Sequence, residues 1–294
     1  MISNRNGSLD YAKLLASFGI VWFHSGAVGA SYGYAGLTFF LILLVLFIAS
    51  SAQHSKTDYM HLRAKRLLLP WLLCCLLYGS IKLAEVWLTS ATLDTEFNRT
   101  MLLTGPAIHL WFLPFAFVVS VALYPLMKRA ASIPQIGRFP LAFGFGLLTL
   151  LCLALRTNLP VPLAQWAYAL PSITFALCLA FSGGGALRQV MLISALGLIG
   201  LSAGWAATPQ LILAALLLAL CTTLPLPGTA LSGKASRAAL LVYLLHPLIS
   251  SVLTRLLEAP ADTVIFASLT IVLTVILAFL VDTLWHARMV PFFR

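Results

Sequence analysis

The chain has 294 residues, of which 61% are hydrophobic and only 9% are charged. A soluble domain of this length cannot hide so much apolar surface, because a large exterior would still have to be polar. The sequence therefore predicts an all-α integral membrane protein. The net charge of +10 would favour nucleic-acid binding in a soluble protein, but in a membrane protein basic residues gather at the cytoplasmic ends of spans. No nucleic-acid partner is expected.

Apolar runs of roughly 20 residues, the length that crosses a bilayer as a helix, recur from one end of the chain to the other. The break between the seventh and eighth runs is the weakest, because only Thr208 and Pro209 interrupt the apolar sequence. No internal repeat or soluble domain is visible, so we expect residues 1–294 to form one transmembrane domain, a single bundle of about ten helices. The predicted spans are 8–29, 34–53, 66–88, 109–127, 139–155, 163–181, 189–205, 209–225, 239–257 and 263–282.

The basic residues predict how these spans are oriented. If both termini are cytoplasmic, the outer segments hold Lys82, Arg99, Arg156 and Arg255, and the other fourteen of the eighteen Lys and Arg residues lie on the cytoplasmic side. Such a bias is typical of inserted helical proteins. The alternative of a cleaved signal peptide ending near residues 27–30 is disfavoured, because Lys13 interrupts the apolar core that such a peptide needs.

The five cysteines all lie inside apolar runs and lack the spacing of metal ligands. An odd number in such positions argues against a disulfide framework or a zinc site. We therefore expect no metal and no permanently bound cofactor.

The first predicted span carries a polar stripe. Lys13 and His24 are eleven residues apart, which places them on one helix face and about 16 Å apart along the axis. Asp10 and Ser17 extend the same face. Ionisable groups inside a membrane normally face the protein interior or a water-filled cavity. Two plainer explanations stay open: an interfacial ion pair between Asp10 and Lys13, and a hydrogen-bonded structural role for His24.

Four motifs in this order resemble the acyltransferase 3 family of bacterial membrane acyltransferases, and together they cover essentially the whole chain. They are Asp10-Tyr11-Ala12-Lys13 followed after ten residues by His24, LRAKRLLLPW at 62–71, HLWFLP at 109–114, and LVYLLHP at 241–247. Two departures stand out. Lys13 occupies a position where many members have arginine, and either Arg63 or Arg66 can correspond to the family arginine.

The resemblance implies transfer of an acyl group, usually acetyl but also succinyl, from cytoplasmic acyl-CoA to a hydroxyl of a sugar. The acceptor would belong to an exopolysaccharide, a lipopolysaccharide or a lipid-linked glycan, and the protein to the bacterial inner membrane. Basic side chains on the cytoplasmic rim would bind the phosphates of CoA: Lys13, Arg63, Lys65 and Arg66. The alternative for this cluster is simple topological anchoring.

His24 would act as the general base that takes the proton of the acceptor hydroxyl, with Asp10 and Lys13 completing the catalytic stripe. An acyl-histidine intermediate is a less favoured variant. The residues expected to contact substrate are Ser17, Glu85, His109, Trp111, Tyr243 and His246. Two of these have plain alternatives, because Trp111 at a membrane interface can be an anchor and Glu85 can pair with Lys82.

Two other classes of protein remain open at this stage. A secondary transporter also has many spans, intramembrane charges and Pro or Gly breaks, although the chain shows no repeat symmetry. A non-catalytic partner of a flippase would use the stripe for helix packing alone. Turnover of acyl-CoA by the purified protein distinguishes the enzyme from both.

Overall fold

The computed structural model of the protein describes residues 5–54, 58–89, 92–155, 159–183, 186–257 and 262–289, with 186–188 and 285–289 described by their backbone alone. Within these ranges the chain is helical and has no strand, apart from one isolated bridge between Asn6 and Pro227. The long helices are α1 Gly7–Ser25, α2 Ala35–Gln53, α3 Tyr59–Leu88, α4 Phe112–Ala130, α5 Gln135–Ala154, α6 Leu163–Phe181, α7 Ala186–Ser202, α8 Thr208–Thr223, α9 Ala230–Leu257 and α10 Val264–Met289.

Each predicted span overlaps one of these helices, and the structure supports membrane crossing for seven of them. Among the described residues, α2 to α6, α9 and α10 lie in helical stretches that are long and apolar enough to cross a membrane. The helix α1 carries the charged stripe, and α8 has only 16 residues, fewer than the roughly 20 that a 30 Å hydrocarbon core needs. For α1, α7 and α8, membrane crossing stays a prediction.

The helices divide into two compact units, Met1–Phe40 with Gly185–Arg294 and Leu41–Gly184. The first unit contains a core where α1, α9 and α10 meet at Val21, Ala238, Val242 and Ala278. All four are buried at 1% exposure or less, and two of the four are alanines, whose small side chains let the helix backbones approach closely without lipid between them.

The helices α1 and α9 run parallel. The hydroxyl of Ser232 approaches the Asp10 carboxylate at 3.4 Å, and 14 residues later the ring of His24 contacts that of His246. Both pairs are separated by 222 residues, so the two helices keep one register over about 21 Å.

Hydrogen bonds attach the start of α1 to the segment between α8 and α9. Asn6 caps α1 through its side-chain oxygen and donates to the carbonyl of Cys221 at 2.8 Å. Ser8 donates to the carbonyl of Leu224 at 2.6 Å, and the amide of Gly7 donates to Leu226 at 2.8 Å. These bonds satisfy the backbone groups that a helix N-terminus leaves open and fix where α1 begins against α9.

Glycines allow a close approach on another face of α1. An added Cβ at Gly36 would overlap the backbone carbonyl of Ala16, and one at Gly33 would overlap that of Gly19. Larger residues would therefore force the start of α2 and the short helix Ala30–Gly33 away from α1.

In the second unit, α3 packs against α4 and α5 against α6. The rings of Tyr59 and Tyr124 stack at 4.0 Å between the first pair. The hydroxyls of Thr149 and Thr174 lie 3.0 Å apart between the second, and both residues are buried. Lys82 of α3 donates to Glu96 at 2.7 Å, which ties the short helix Leu93–Glu96 to α3.

Candidate functional site

Asp10 is the centre of an ionic cluster at the start of α1. Its side chain is only 4% exposed and accepts hydrogen bonds from Arg5 Nε at 2.5 Å and Lys13 Nζ at 3.2 Å. The hydroxyl of Ser232 in α9 lies 3.4 Å from the same carboxylate. The predicted Asp10–Lys13 ion pair is thus confirmed, and it is buried and linked to a second helix.

Lys13 also contacts α9, because its ammonium group donates to the hydroxyl of Ser236 at 3.1 Å. The side chain is 19% exposed, so part of it stays accessible to a ligand. One turn later, Ser17 is fully buried, and its hydroxyl donates to the carbonyl of Leu14 at 2.7 Å. That bond uses the only proton of the hydroxyl, which leaves Ser17 as an acceptor toward any substrate.

At the far end of the stripe, His24 lies against His246. The ring centroids are 5.1 Å apart with the planes at 32°, and the ring of Phe23 meets His24 edge-on at 5.2 Å. His24 is an exposed residue, whereas His246 is buried. Within the described part of the chain, the contacts found for His24 are ring contacts and not hydrogen bonds.

The tautomer of His246 follows from its own helix. Its Nδ1 lies 2.8 Å from the carbonyl oxygen of Tyr243. Because a carbonyl can only accept, Nδ1 must carry the proton, and in the neutral ring Nε2 then holds the lone pair. Tyr243 is itself buried, with its ring 6.2 Å from that of His246. Within the motif LVYLLHP, His246 therefore contacts His24, and Tyr243 packs on His246.

In the second unit, two of the predicted donor-binding residues line a polar cavity of about 300 Å³. Arg63 and Arg66 project into it one turn apart on α3, and Ser50 and Ser51 close it from the end of α2. The Arg63 guanidinium donates to the hydroxyl of Tyr59 at 3.2 Å. Because Tyr59 also stacks on Tyr124, the arginine is held in place before any ligand arrives. The remaining lining residues are Phe47 and Leu62.

Lys65, which the sequence grouped with Arg63 and Arg66, does not line this cavity. Its position, two residues after Arg63, turns it by about 200° around the helix. Lys65 therefore lies on a different face of α3 from the two arginines that line the cavity.

The other residues expected near the substrate lie in the interior of the second unit. His109 belongs to the turn Ile108–Trp111, is 4% exposed and meets the ring of Tyr78 edge-on at 5.3 Å. Trp111 is also 4% exposed and packs on Phe115 at 5.3 Å. An interfacial anchor must face lipid, so the anchor alternative for Trp111 is wrong.

Glu85 is half-buried, and its backbone carbonyl accepts a hydrogen bond from Thr89 at the end of α3. Lys82, the neighbour proposed for Glu85, donates to Glu96 at 2.7 Å, and a pair between Glu85 and Lys82 stays a prediction. The sequence reading did not pick out Glu96, because a hydrogen bond across fourteen residues has no periodic signature in the sequence.

The sequence reading also missed the ion pair between Arg237 and Asp282. Two hydrogen bonds, of 2.8 and 3.0 Å, join the guanidinium to the carboxylate. Asp282 lies in the C-terminal part of α10, and its side chain is only 6% exposed. The available signal was one acidic residue near the end of an otherwise apolar helix, which requires a partner when it is buried.

Among the described residues, seven helices are long and apolar enough to cross a membrane, and an ion pair with a buried carboxylate joins α9 to α10. These features define a multi-pass membrane protein. A model of the acyltransferase 3 family, described as an acyltransferase domain, matches residues 6–283. The chain belongs to this family and is a membrane acyltransferase. The match confirms the resemblance carried by the four motifs. Comparisons with curated proteins and with solved structures give no match.

Proposed function

We propose that the protein transfers an acetyl group from cytoplasmic acetyl-CoA to a hydroxyl group of a sugar in a surface or lipid-linked glycan. The observation that carries this proposal is an exposed imidazole, His24, about 16 Å along α1 from Lys13. A transferase of this kind needs a base that the acceptor can reach, and His24 is the residue of the stripe that meets this requirement.

The donor would be held through its phosphates by the cavity of Arg63 and Arg66. Two guanidinium groups and three hydroxyls, of Ser50, Ser51 and Tyr59, surround a space of about 300 Å³. Guanidinium groups make paired, charge-assisted hydrogen bonds to phosphate oxygens, and hydroxyls supply further donors.

In the transfer step, the acceptor oxygen attacks the thioester carbonyl while a nitrogen of His24 takes the hydroxyl proton. The carbon–sulfur bond then breaks, and the CoA thiolate leaves and is protonated by the imidazolium. The products are an acetyl ester and CoA, and His24 returns to its neutral form. His246 packs against the reactive ring, and Tyr243 packs against His246.

The proposal includes a ten-span topology with both ends in the cytoplasm, in the bacterial inner membrane. The parallel packing of α1 and α9 supports it. Two parallel helices that both cross the membrane require an even number of crossings from the start of one to the start of the other. If α1 to α8 all cross, the number of crossings is eight, which is even. If α7 and α8 form a pair that does not cross, the number is six, which is also even.

The proposal is tested with purified protein in liposomes supplied with [¹⁴C]acetyl-CoA on the Lys13 side and glycan from a bacterial envelope as acceptor. Release of free CoA thiol together with labelled glycan is the expected result, and alkaline treatment should liberate the label because it cleaves esters. Accumulation of intact label inside the liposomes, without CoA release, would instead identify a transporter.

A further inference from the structure

Two arginine side chains converge at one point above Gly233, in the first unit. An ideal Cβ placed on Gly233 would lie 3.4 Å from Nη1 of Arg5 and 3.7 Å from Nη1 of Arg237. The two nitrogens are therefore no more than about 7 Å apart, and both lie next to a residue that has no side chain. Neither arginine belongs to the donor cavity or to the stripe that ends at His24.

Each guanidinium is already fixed in orientation by a buried carboxylate. Arg5 donates through Nε to Asp10, and Arg237 donates through Nε and Nη2 to Asp282. Both carboxylates are nearly inaccessible, at 4% and 6% exposure. The atoms that converge over Gly233 are the ones that these pairs leave on the outer side. A fixed guanidinium loses little further freedom when it binds a ligand.

Charge and accessibility both favour an anion at this position. Among the described residues, the ion pairs at this position join three cations, Arg5, Lys13 and Arg237, to two anions, Asp10 and Asp282, so cations outnumber anions in these pairs. The arginine side chains are 45% and 42% exposed, so a ligand can reach them. The backbone of Arg5 packs against Gly228, and the bridge between Asn6 and Pro227 holds the segment in place.

We propose that Arg5 and Arg237 form an anion site over Gly233 that binds a phosphate ester. A phosphate group has oxygens about 2.5 Å apart and accepts charge-assisted hydrogen bonds of about 2.7–2.9 Å. It can therefore bridge two guanidinium nitrogens with the separation found here. A soluble phosphate ester and the phosphate of a lipid headgroup share this chemistry.

The test measures binding of two probes to the purified full-length protein. Adenosine 3′,5′-bisphosphate is titrated calorimetrically into protein carrying Arg63→Ala and Arg66→Ala, so that the cavity on α3 does not contribute. Retention of phosphatidylglycerol is measured separately by native mass spectrometry of protein released from nanodiscs. The first probe reports a soluble phosphate ester and the second a lipid headgroup.

Two variants remove the site by different routes. Gly233→Ala leaves the partners of both ion pairs unchanged and places a methyl group in van der Waals contact with both guanidinium nitrogens, where the ligand would bind. Arg237→Lys keeps a positive charge next to Asp282 but replaces the forked guanidinium with a single ammonium group, so the nitrogen that faces Gly233 is lost. Lys234→Gln is the matched control, because it removes one exposed charge from the next position of the same helix.

For at least one probe, the Kd should rise about tenfold in both variants relative to the parent protein. The Kd of the control variant should stay within twofold of the parent value. Loss confined to the bisphosphate identifies a soluble phosphate ester, and loss confined to phosphatidylglycerol identifies a headgroup. Unchanged binding of both probes to Gly233→Ala and to folded Arg237→Lys overturns the proposal, as does equal weakening by Lys234→Gln. If Arg237→Lys does not fold, the Gly233→Ala result decides. None of these measurements depends on acyl transfer.

Discussion

The imidazole of His24 and that of His246 lie 5.1 Å apart between ring centroids, one exposed and the other buried. The buried ring is fixed by its bond to the Tyr243 carbonyl, so it forms a rigid aromatic surface behind the exposed one. This arrangement restricts how the ring of His24 can turn and leaves its outer edge accessible, as a general base requires.

Replacing His24 with Gln should abolish acyl transfer. Glutamine can form hydrogen bonds but cannot take a proton near neutral pH, and loss of a general base costs about 10²–10⁴ in rate. Initial rates of CoA release and of glycan labelling give the effect, and apparent melting temperatures show whether the fold is intact. His61→Gln, a change at another exposed histidine, should leave the rate near that of the parent. Near-normal turnover by a folded His24→Gln variant would exclude the base role.

Replacing Arg63 or Arg66 with Ala should raise the KM for acyl-CoA while kcat changes little. A hydrogen bond to a charged group contributes about 1.5–3 kcal/mol, and partial exposure of the cavity reduces this, so we expect roughly a tenfold rise for each arginine. Lys65→Ala is the matched control, because it removes the same charge from the same helix without touching the cavity. An equal rise in KM in all three variants would mean that the basic residues of α3 act only through their net charge.

Replacing Asp10 with Asn should lower the apparent melting temperature. The amide has one acceptor oxygen and no charge, so Arg5 and Lys13 lose their shared counter-ion in a buried setting. Removing a buried hydrogen-bond partner costs about 1–3 kcal/mol, and the exposure of Arg5 puts the expected loss in the lower part of that range. Thermal denaturation in detergent measures it, with Asp262→Asn at an exposed carboxylate as control. Full stability combined with lost turnover would make Asp10 catalytic instead of structural.

Cysteines placed at two exposed positions should report opposite sides of the membrane. Leu102 is 82% exposed in the predicted outer loop, and Ile136 is 87% exposed near the predicted cytoplasmic loop. In right-side-out cells, an impermeant maleimide should label Leu102→Cys directly and Ile136→Cys only after the membrane is permeabilised. The parent protein, with five native cysteines, gives the background. Labelling of both positions from outside would contradict the proposed orientation.

Helical periodicity was sufficient to predict the polar face of α1. Asp10, Lys13 and His24 all contact α9, as residues on one face must when that face packs on a single partner. The sequence did not identify that partner, because periodicity within one helix says which residues share a face and nothing about which distant helix covers it. Ser232 and Ser236 therefore went unnoticed, although a Ser pair one turn apart suits a buried ammonium and carboxylate.

The donor-binding cluster was predicted in part for a similar reason. A run of basic residues marks the cytoplasmic end of a span, but only the helix rotation separates Arg63 and Arg66 from Lys65. The hydroxyls of Ser50 and Ser51 come from a different helix, and Tyr59 precedes the basic run by four residues. Nothing in the sequence around Ser50, Ser51 and Tyr59 distinguishes them as residues that line a binding cavity.

The register shared by α1 and α9 has a consequence for biosynthesis. The residues that complete the ionic cluster are made 222 residues after Asp10. At about 5–20 residues per second, the ribosome needs roughly 10–45 s to supply them. During that interval a nascent helix with a carboxylate and an ammonium must stay at the translocon or in the bilayer without α9. Because Asp10 and Lys13 are three residues apart, their charges neutralise each other on one helix. The helix α1 can therefore stay at the translocon or in the bilayer until α9 has been made.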